Sequence, residues 1–423
     1  MAKKILLIAI LAISLIDKSL TQDIWESLNF PDTTRIMSIA INKQGFIYVG
    51  VLWGNFSNGG VYRSLDSGNN WEFCGLYKKT ILTLTIDKSG NIYAGSANDY
   101  WMPGLFKSSN NGLSWDTVPI YPYYPGAIEK ILKIGNDTIF LSIWGNTGQL
   151  LRSIDNGLNW ELSYESGDVA EYVGDIEITE NDSIYICMNA YYYNFGGVYR
   201  SLDLGDSWEF LGLLNYTVRA IEFNQNGDLF AGSGVGLFVM YQGDNEWTSI
   251  LPNINIKEII INDDGTIFLA CDNIYGVIVS YDNGGYFEFF NTGFEDPWIG
   301  DMALDSSGYL IASKYESNML YRTINSTLIT NVHEVPIKNQ FIEINVFPNP
   351  TSEFIVADLP ENLSVNYKME IQLSDLTGKI YQCKYSVDKK KDLILTVSNL
   401  PVGLYILKIT RNNSIYYSKF INK

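Results

Sequence analysis

The chain has 423 residues and a formal net charge of −18 with no basic stripe, so it is built to repel nucleic acid and anionic membrane surfaces. Hydrophobic residues make up 46% and charged residues 18%, which excludes a disordered chain, while 29 tyrosines and 36 glycines without helical periodicity point to β-structure. The one histidine, His333, and four widely spaced cysteines remove histidine-based nucleophiles and zinc clusters.

The N-terminus reads Met1, Lys3 and Lys4, then an apolar run from Ile5 to Ile16, then small residues at Ser19-Leu20-Thr21. This is a signal-peptide pattern over residues 1–21, too short to span a bilayer and without a following cysteine for a lipid anchor. No later segment is apolar enough to cross a membrane. The segment Ile24–Leu28, IWESL, matches the strand openings Trp71-Glu72-Phe73 and Trp208-Glu209-Phe210, although nothing like them precedes it.

From here the sequence repeats. SLDSGNNW (Ser64–Trp71) returns as SSNNGLSW (Ser108–Trp115), SIDNGLNW (Ser153–Trp160), SLDLGDSW (Ser201–Trp208) and SYDNGGYF (Ser280–Phe287), with a degenerate copy ending at Trp247. The pattern Ser-x-Asp-x-Gly-x-x-Trp suits a hairpin turn: the carboxylate accepts backbone N–H groups, the glycine takes a positive φ, and the tryptophan starts the next strand. The structural set is Ser64, Asp66, Gly68 and Trp71; Ser153, Asp155, Gly157 and Trp160; Ser201, Asp203, Gly205 and Trp208. A second unit precedes each box: an alternating strand, a polar turn and a short aromatic strand, as in DKSGNIYAG from Asp87. Ile47, Ile92, Ile139, Ile184 and Leu229 are 45, 47, 45 and 45 residues apart, the length of a four-stranded propeller blade. Seven such units predict a seven-bladed β-propeller over 22–330; the degenerate fifth box leaves six or eight blades as alternatives. The seventh unit lacks a fourth strand and the N-terminus has a spare one, so Ile24–Leu28 is predicted to complete the last blade and close the ring.

These boxes resemble the Asp-box or BNR repeat of sialidases, xyloglucan-cleaving glycosidases, sortilin-type receptors and photosystem assembly factors. The resemblance implies the propeller, with the box serving stability at its rim, and leaves function open.

After a connector at 331–340, residues 341–423 form another set of short strands: VFPNP (Val346–Pro350), LSDLTGKIY (Leu373–Tyr381), LPVGLYILKI (Leu400–Ile409) and a closing strand Tyr416–Ile421. This order resembles the C-terminal sorting domain of Bacteroidetes type IX secretion substrates. The resemblance implies a small immunoglobulin-like β-sandwich, the type IX machinery as partner, and a secreted or outer-membrane-surface location; an ordinary carbohydrate-binding sandwich is the alternative. The whole is therefore expected to be all-β, a propeller followed by a sandwich.

The candidate binding surface is the face opposite the boxes, where loops carry Trp53, Tyr100, Trp101, Tyr123, Trp144, Tyr192, Trp298 and Tyr315. Aromatic rings with polar rims serve sugars and protein partners equally, and they also pack loops together. Asp296, Asp301, Asp168 and Glu171 are placed on the same face as the acids a glycoside hydrolase would need. The sialidases that the boxes resemble clamp the substrate carboxylate with three arginines; Arg63, Arg152, Arg200 and Arg322 belong to the repeated strand beside the box, only Arg35 and Arg219 remain near innermost strands, and sialidase activity is therefore disfavoured. Walker and dinucleotide motifs are missing, and Asn262-Asp263-Asp264-Gly265 reads as a β-turn rather than a calcium loop, so no cofactor and no metal are expected. The expected function is a secreted or surface propeller holding a glycan or protein ligand; a glycoside hydrolase and a purely structural adhesion module are the alternatives.

Overall fold

The computed structural model describes residues 23–423 except 55–57, 98–103, 122–125, 146, 167–170, 180, 191–195, 273–274, 329–339, 358–369, 376–378, 388–392 and 412–413. The signal peptide expected over residues 1–21 lies outside the described residues.

Seven four-stranded antiparallel sheets fill residues 25–323. Their innermost strands are β2 (Ile36–Ile41), β6 (Ile81–Ile86), β10 (Ala127–Ile134), β14 (Glu171–Ile178), β18 (Val218–Phe223), β22 (Ile256–Ile261) and β26 (Ile299–Leu304). These touch one another in that order, and β26 returns to β2, so the sheets form a closed ring. The second strands, such as β3 (Ile47–Val51), β7 (Ile92–Ser96) and β23 (Ile267–Cys271), are buried along their whole length, because each is covered by a blade on either side. Blade five, whose box is degenerate, has all four strands, β18 followed by β19 (Leu229–Ser233), β20 (Gly236–Met240) and β21 (Thr248–Pro252).

The predicted closure is present. β1 (Trp25–Leu28) pairs antiparallel with β28 (Leu320–Thr323), matching Trp25 to Thr323 and Leu28 to Leu320. Trp25 occupies the box-tryptophan position: its Nε1 donates to Phe290 O of the preceding blade at 2.6 Å. Trp115, Trp160, Trp208 and Trp247 likewise donate to Cys74 O, Pro119 O, Ser163 O and Leu211 O of the blade before. The indole thus ties blades two to five and blade seven to their predecessors, whereas Trp71 donates to Gly68 O of its own box and blade six carries Phe287; blade five keeps the tie without the rest of its box.

The box turn is held by side chains. Ser64 Oγ donates to Asp66 Oδ1 (2.8 Å) and accepts from Gly68 N (2.8 Å), while Asp66 Oδ1 also accepts from Asn70 N (2.8 Å). Ser153–Asp155–Gly157 and Ser201–Asp203–Gly205 repeat this. Gly68, Gly157 and Gly205 all have φ near +90°, which only glycine adopts without strain. On the same face, Asn42, Asp87, Asn262 and Asp305 each accept two backbone N–H groups across the turn between first and second strands; Asn262 accepts from Asp264 N and Thr266 N. The arginine beside the box is a second tie. Arg63 pairs with Glu72, Arg152 with Glu161, Arg200 with Glu209 and, across the closure, Arg322 with Glu26. Arg63, Arg152 and Arg322 also reach carbonyls of the next box, at Asn111, Leu204 and Ser67.

Two further sheets make the tail. One orders β29 (Gln340–Glu343), β37 (Ser414–Asn422), β36 (Gly403–Arg411), β32 (Glu370–Asp375) and β33 (Ile380–Tyr381); the other orders β30 (Val346–Phe347), β31 (Phe354–Ala357), β35 (Leu393–Thr396) and β34 (Lys384–Val387). Ile355, Leu373, Leu393, Leu395, Leu407 and Phe420 fill the space between them. Lys408 Nζ of the tail donates to Tyr286 Oη of blade six at 3.0 Å. All four cysteines are free thiols, Cys187 and Cys271 fully buried. Among the described residues no helix is long and apolar enough to cross a membrane.

Candidate functional site

Each innermost strand breaks its pairing with the second strand at one place, and in all seven blades it is the same place. The register skips Met37, Leu82, Glu129, Gly174, Arg219, Lys257 and Gly300 in turn. A β-bulge of this kind frees one side chain from the ladder and re-aims it. These positions lie towards the loop-face end of the axis, and their chemistry is unequal: two cations fall in neighbouring blades five and six, one acid in blade three.

The cations do not stand alone. Arg35 enters β2, and Tyr315 follows β27 (Leu310–Lys314); Arg35 Cζ lies 4.4 Å from the Tyr315 ring centre and Lys257 Nζ 3.8 Å. Trp298, just before β26, stacks on Tyr315 with centroids 4.5 Å apart and planes 28° apart. Asp272, at the end of β23, pairs with Lys257 (2.7 Å) and accepts from Trp298 Nε1 (3.3 Å) and from Asn255 Nδ2. Arg219 donates through Nη1 to Asn255 Oδ1. Burial lowers the Lys257 pKa from its ordinary value, and repulsion from Arg219 and Arg35 adds to this; the hydrogen bond and charge of Asp272 oppose it. Arg35 has a carboxylate, Glu316, at 4.0 Å, with side-chain exposures of 31% and 63%.

Of the predicted aromatic set, the structure therefore brings Trp298 and Tyr315 together. Trp144 is 51% exposed and meets Tyr172 at 6.2 Å between blades three and four. Trp53 is half-buried, its backbone N–H donating to Thr80 Oγ1. Tyr100, Trp101, Tyr123 and Tyr192 lie outside the described residues, as does Asp168. Glu171 opens β14. Asp296 is paired with Lys314 at 3.2 Å. Asp301, read from sequence as a loop-face acid, sits on the axis instead, where Oδ2 accepts from Ile39 N at 2.6 Å. Its position follows the bulge, so the strand turns its carboxylate onto the neighbouring blade.

Below the mouth, that axis carries charge. Lys130 Nζ pairs with Asp175 at 3.2 Å, Asp175 Oδ2 accepts from Ile221 N (3.1 Å), and Glu258 Oε2 accepts from Met302 N (2.7 Å). Asp175, Glu258 and Asp301 thus each bridge to the innermost strand of the next blade. Burial pushes the Glu222 carboxyl up to about 8 and that of Asp301 to about 6, and holds Glu177 and Glu258 well above the ordinary carboxylate range. Asp175 in the first place, then Glu258 and Asp301, hold the Lys130 ammonium above its ordinary value. Among the described residues, no group of three or more His, Cys, Asp or Glu is arranged to hold a metal ion. Sequence reasoning missed Lys257, Asp272, Asn255 and the axial acids Glu177, Glu222 and Glu258; the available signal was ionisable residues inside innermost strands that ought to be apolar.

Together these features define a propeller with a polar, aromatic-lined mouth opposite its box face. Residues 345–423 match the family of secretion system C-terminal sorting domains. That tail marks the chain for export by type IX secretion to the cell surface or the extracellular space. No curated protein matches the chain. Among solved structures, the chain is similar to YCF48 bound to D1 peptide, at 15% identity and TM-score 0.58, covering 73% of this chain and 99% of that one. PorZ, a surface component of the type IX secretion system of Porphyromonas gingivalis, is similar at 13% identity and TM-score 0.53, covering 94% of this chain and 60% of that one. The GH74 enzyme of Niastella koreensis is similar at 12% identity and TM-score 0.54, covering 94% and 74%. At these identities the likeness is one of fold.

Proposed function

We propose that the exported chain is a binding propeller that holds a glycan or protein ligand on the loop face. One observation carries this reading: Arg35, Arg219, Lys257, Asn255, Asp272, Trp298 and Tyr315, drawn from blades five, six, seven and one, meet at one end of the axis. Ligand sites favour such convergence of a few polar groups on an aromatic wall. The match of the fold to proteins as different as peptide-bound YCF48 and a GH74 enzyme is consistent with a shared scaffold carrying different sites.

Hydrolysis is the second reading, favoured by the GH74 likeness alone. It would need two acids flanking a substrate, one of them able to act as acid near neutral pH. Asp296 is engaged by Lys314, and Asp301, although its carboxyl is raised to about 6, is turned onto the backbone amide of Ile39 in the next blade, so the two do not stand free to flank one substrate. The test is to incubate the exported chain with a polysaccharide panel and follow retention and soluble sugar release together. Retention without release supports the binding reading. Release that is abolished by Asp296→Ala would replace it with the hydrolase, and neither retention nor release would turn the search to protein ligands.

A further inference from the structure

One side of the mouth is basic on a protein whose total charge is −18, and this asymmetry needs a reason. Three cations, Arg35, Arg219 and Lys257, crowd closely enough that the two arginines disfavour the charge on the lysine. Their counter-charge is incomplete. Asp272 answers Lys257, and the exposed Glu316 stands 4.0 Å from Arg35. Arg219 is bound, among the described contacts, through one nitrogen to the neutral amide of Asn255, leaving its Nε and Nη2 donors in the fork that matches a carboxylate.

The cations are also held in place. Lys257 and Arg35 lie against Tyr315, and Tyr315 is braced by Trp298, which Asp272 fixes through its Nε1. Cation–π contact and stacking reduce the freedom that long basic side chains lose on binding. Across the mouth the bulge of blade three presents Glu129, so the opening has a basic side and an acidic one. That polarity orients an anionic ligand.

We infer that this rim is a binding site for a carboxylate-bearing glycan, with Arg35, Arg219 and Lys257 receiving the carboxylate and Asn255 and the Trp298 ring contacting the sugar beside it. The inference deepens the binding reading above and rests on it. A peptide that binds by strand addition is disfavoured, because the N–H groups of Ile39, Ile221 and Met302 on the innermost strands are already taken by Asp301, Asp175 and Glu258. What the mouth offers is side-chain donors and a ring face, the means by which a uronic acid is held.

The experiment is titration calorimetry of the full exported chain with three probes: an oligogalacturonate, a neutral cello-oligosaccharide of equal length, and a polyglutamate peptide. The oligogalacturonate is expected to bind, weaken as salt rises, and exceed the neutral sugar by at least about tenfold, since hydrogen bonds to a charged group outweigh those to a neutral one. Arg219→Gln and Arg35→Gln, each with an unchanged thermal midpoint, should each reduce oligogalacturonate affinity by about tenfold or more. Lys257→Met serves as a third variant whose melting is followed separately, because it also strands Asp272. Equal binding of the neutral sugar, unaffected by these variants, overturns the inference and leaves the general glycan reading intact. Polyglutamate binding without oligogalacturonate binding overturns it in favour of an acidic peptide. If none of the three binds, this inference fails, and the glycan reading is then judged by the wider polysaccharide panel.

Discussion

The outer rim and the axis of the ring are built from the same seven repeats, yet they obey opposite rules. At the rim the chemistry recurs: Ser64–Asp66, Ser153–Asp155 and Ser201–Asp203 make the same bonds at the same distance of 2.8 Å. On the axis the residue just after each bulge is Ser38, Thr83, Lys130, Asp175, Ala220, Glu258 or Asp301, running through hydroxyl, cation, acid and methyl around the ring. Repetition serves architecture, because every blade must solve the same turn and tie itself to its neighbour. Variation serves either the specific closure of one ring or the ligand, because only there does a blade's identity matter.

The largest expected effect tests closure, where the rim rule is carried by the one strand from the other end of the chain. Trp25 is buried, stacks on Phe294 at 4.6 Å and donates to Phe290 O. Trp25→Ala is expected to lower stability by about 3–5 kcal/mol, the range for a large aromatic lost from a core. Chemical denaturation of the exported chain checks it, and a loss under about 1 kcal/mol would mean that β1 is not holding the ring.

Next comes the axis. Lys130→Met removes the cation that Asp175, Glu258 and Asp301 share. Breaking a buried pair costs about 3–5 kcal/mol, but the Lys130 side chain is 40% exposed to the channel, so screening reduces the expected loss to about 2 kcal/mol at neutral pH. An unchanged midpoint would show that the axial acids do not depend on it.

The two regions should also answer pH in opposite senses. Glu222 and Asp301 have folded pKa values raised to about 8 and about 6, above their ordinary 4.5 and 3.8. The unfolded chain therefore releases these protons first as pH rises, so their contribution is most favourable below about pH 4 and is lost progressively up to about pH 8. Asp203 at the rim is depressed to about 2, so it favours folding above its ordinary value and loses that as pH falls towards 2. The unfolding midpoint should therefore decline from about pH 5 to pH 8, and Glu222→Gln should flatten that decline. A midpoint that rises over this interval would contradict the assignment.

How much of this was legible in the sequence follows the same division. The period, the seven blades and the closing strand could be read because each rests on a local motif; Trp25-Glu26 announces its role by matching Trp71-Glu72. The axis could not be read, because Lys130 finds Asp175 one blade and some 45 residues later, and a bulge decides which way each side chain faces. Asp301 shows the consequence: by position along the chain it belonged with the loop-face acids, and the extra residue Gly300 turns it inward to Ile39. The rim of the mouth was half visible. Trp298 and Tyr315 stood out as loop aromatics and Arg35 and Arg219 as the arginines outside the repeat, but Lys257 looked like any strand lysine until blades five, six, seven and one were set side by side.

The smallest effect isolates charge at the rim from shape. Asp203 Oδ1 accepts from Ser207 N (2.8 Å) and Oδ2 from Ser207 Oγ (2.6 Å), both at the surface. In Asp203→Asn, one oxygen remains to accept the backbone N–H while the second becomes a donor facing the Ser207 hydroxyl, which can rotate to accept. The turn should persist, with a midpoint drop at pH 7 well below that of Lys130→Met. The drop should shrink steadily as pH falls towards 2, where the native carboxyl is itself half protonated. A drop that stayed constant down to pH 2 would assign the loss to altered hydrogen-bond geometry rather than to charge, and the opposite pH responses of rim and axis would then rest on the axis alone.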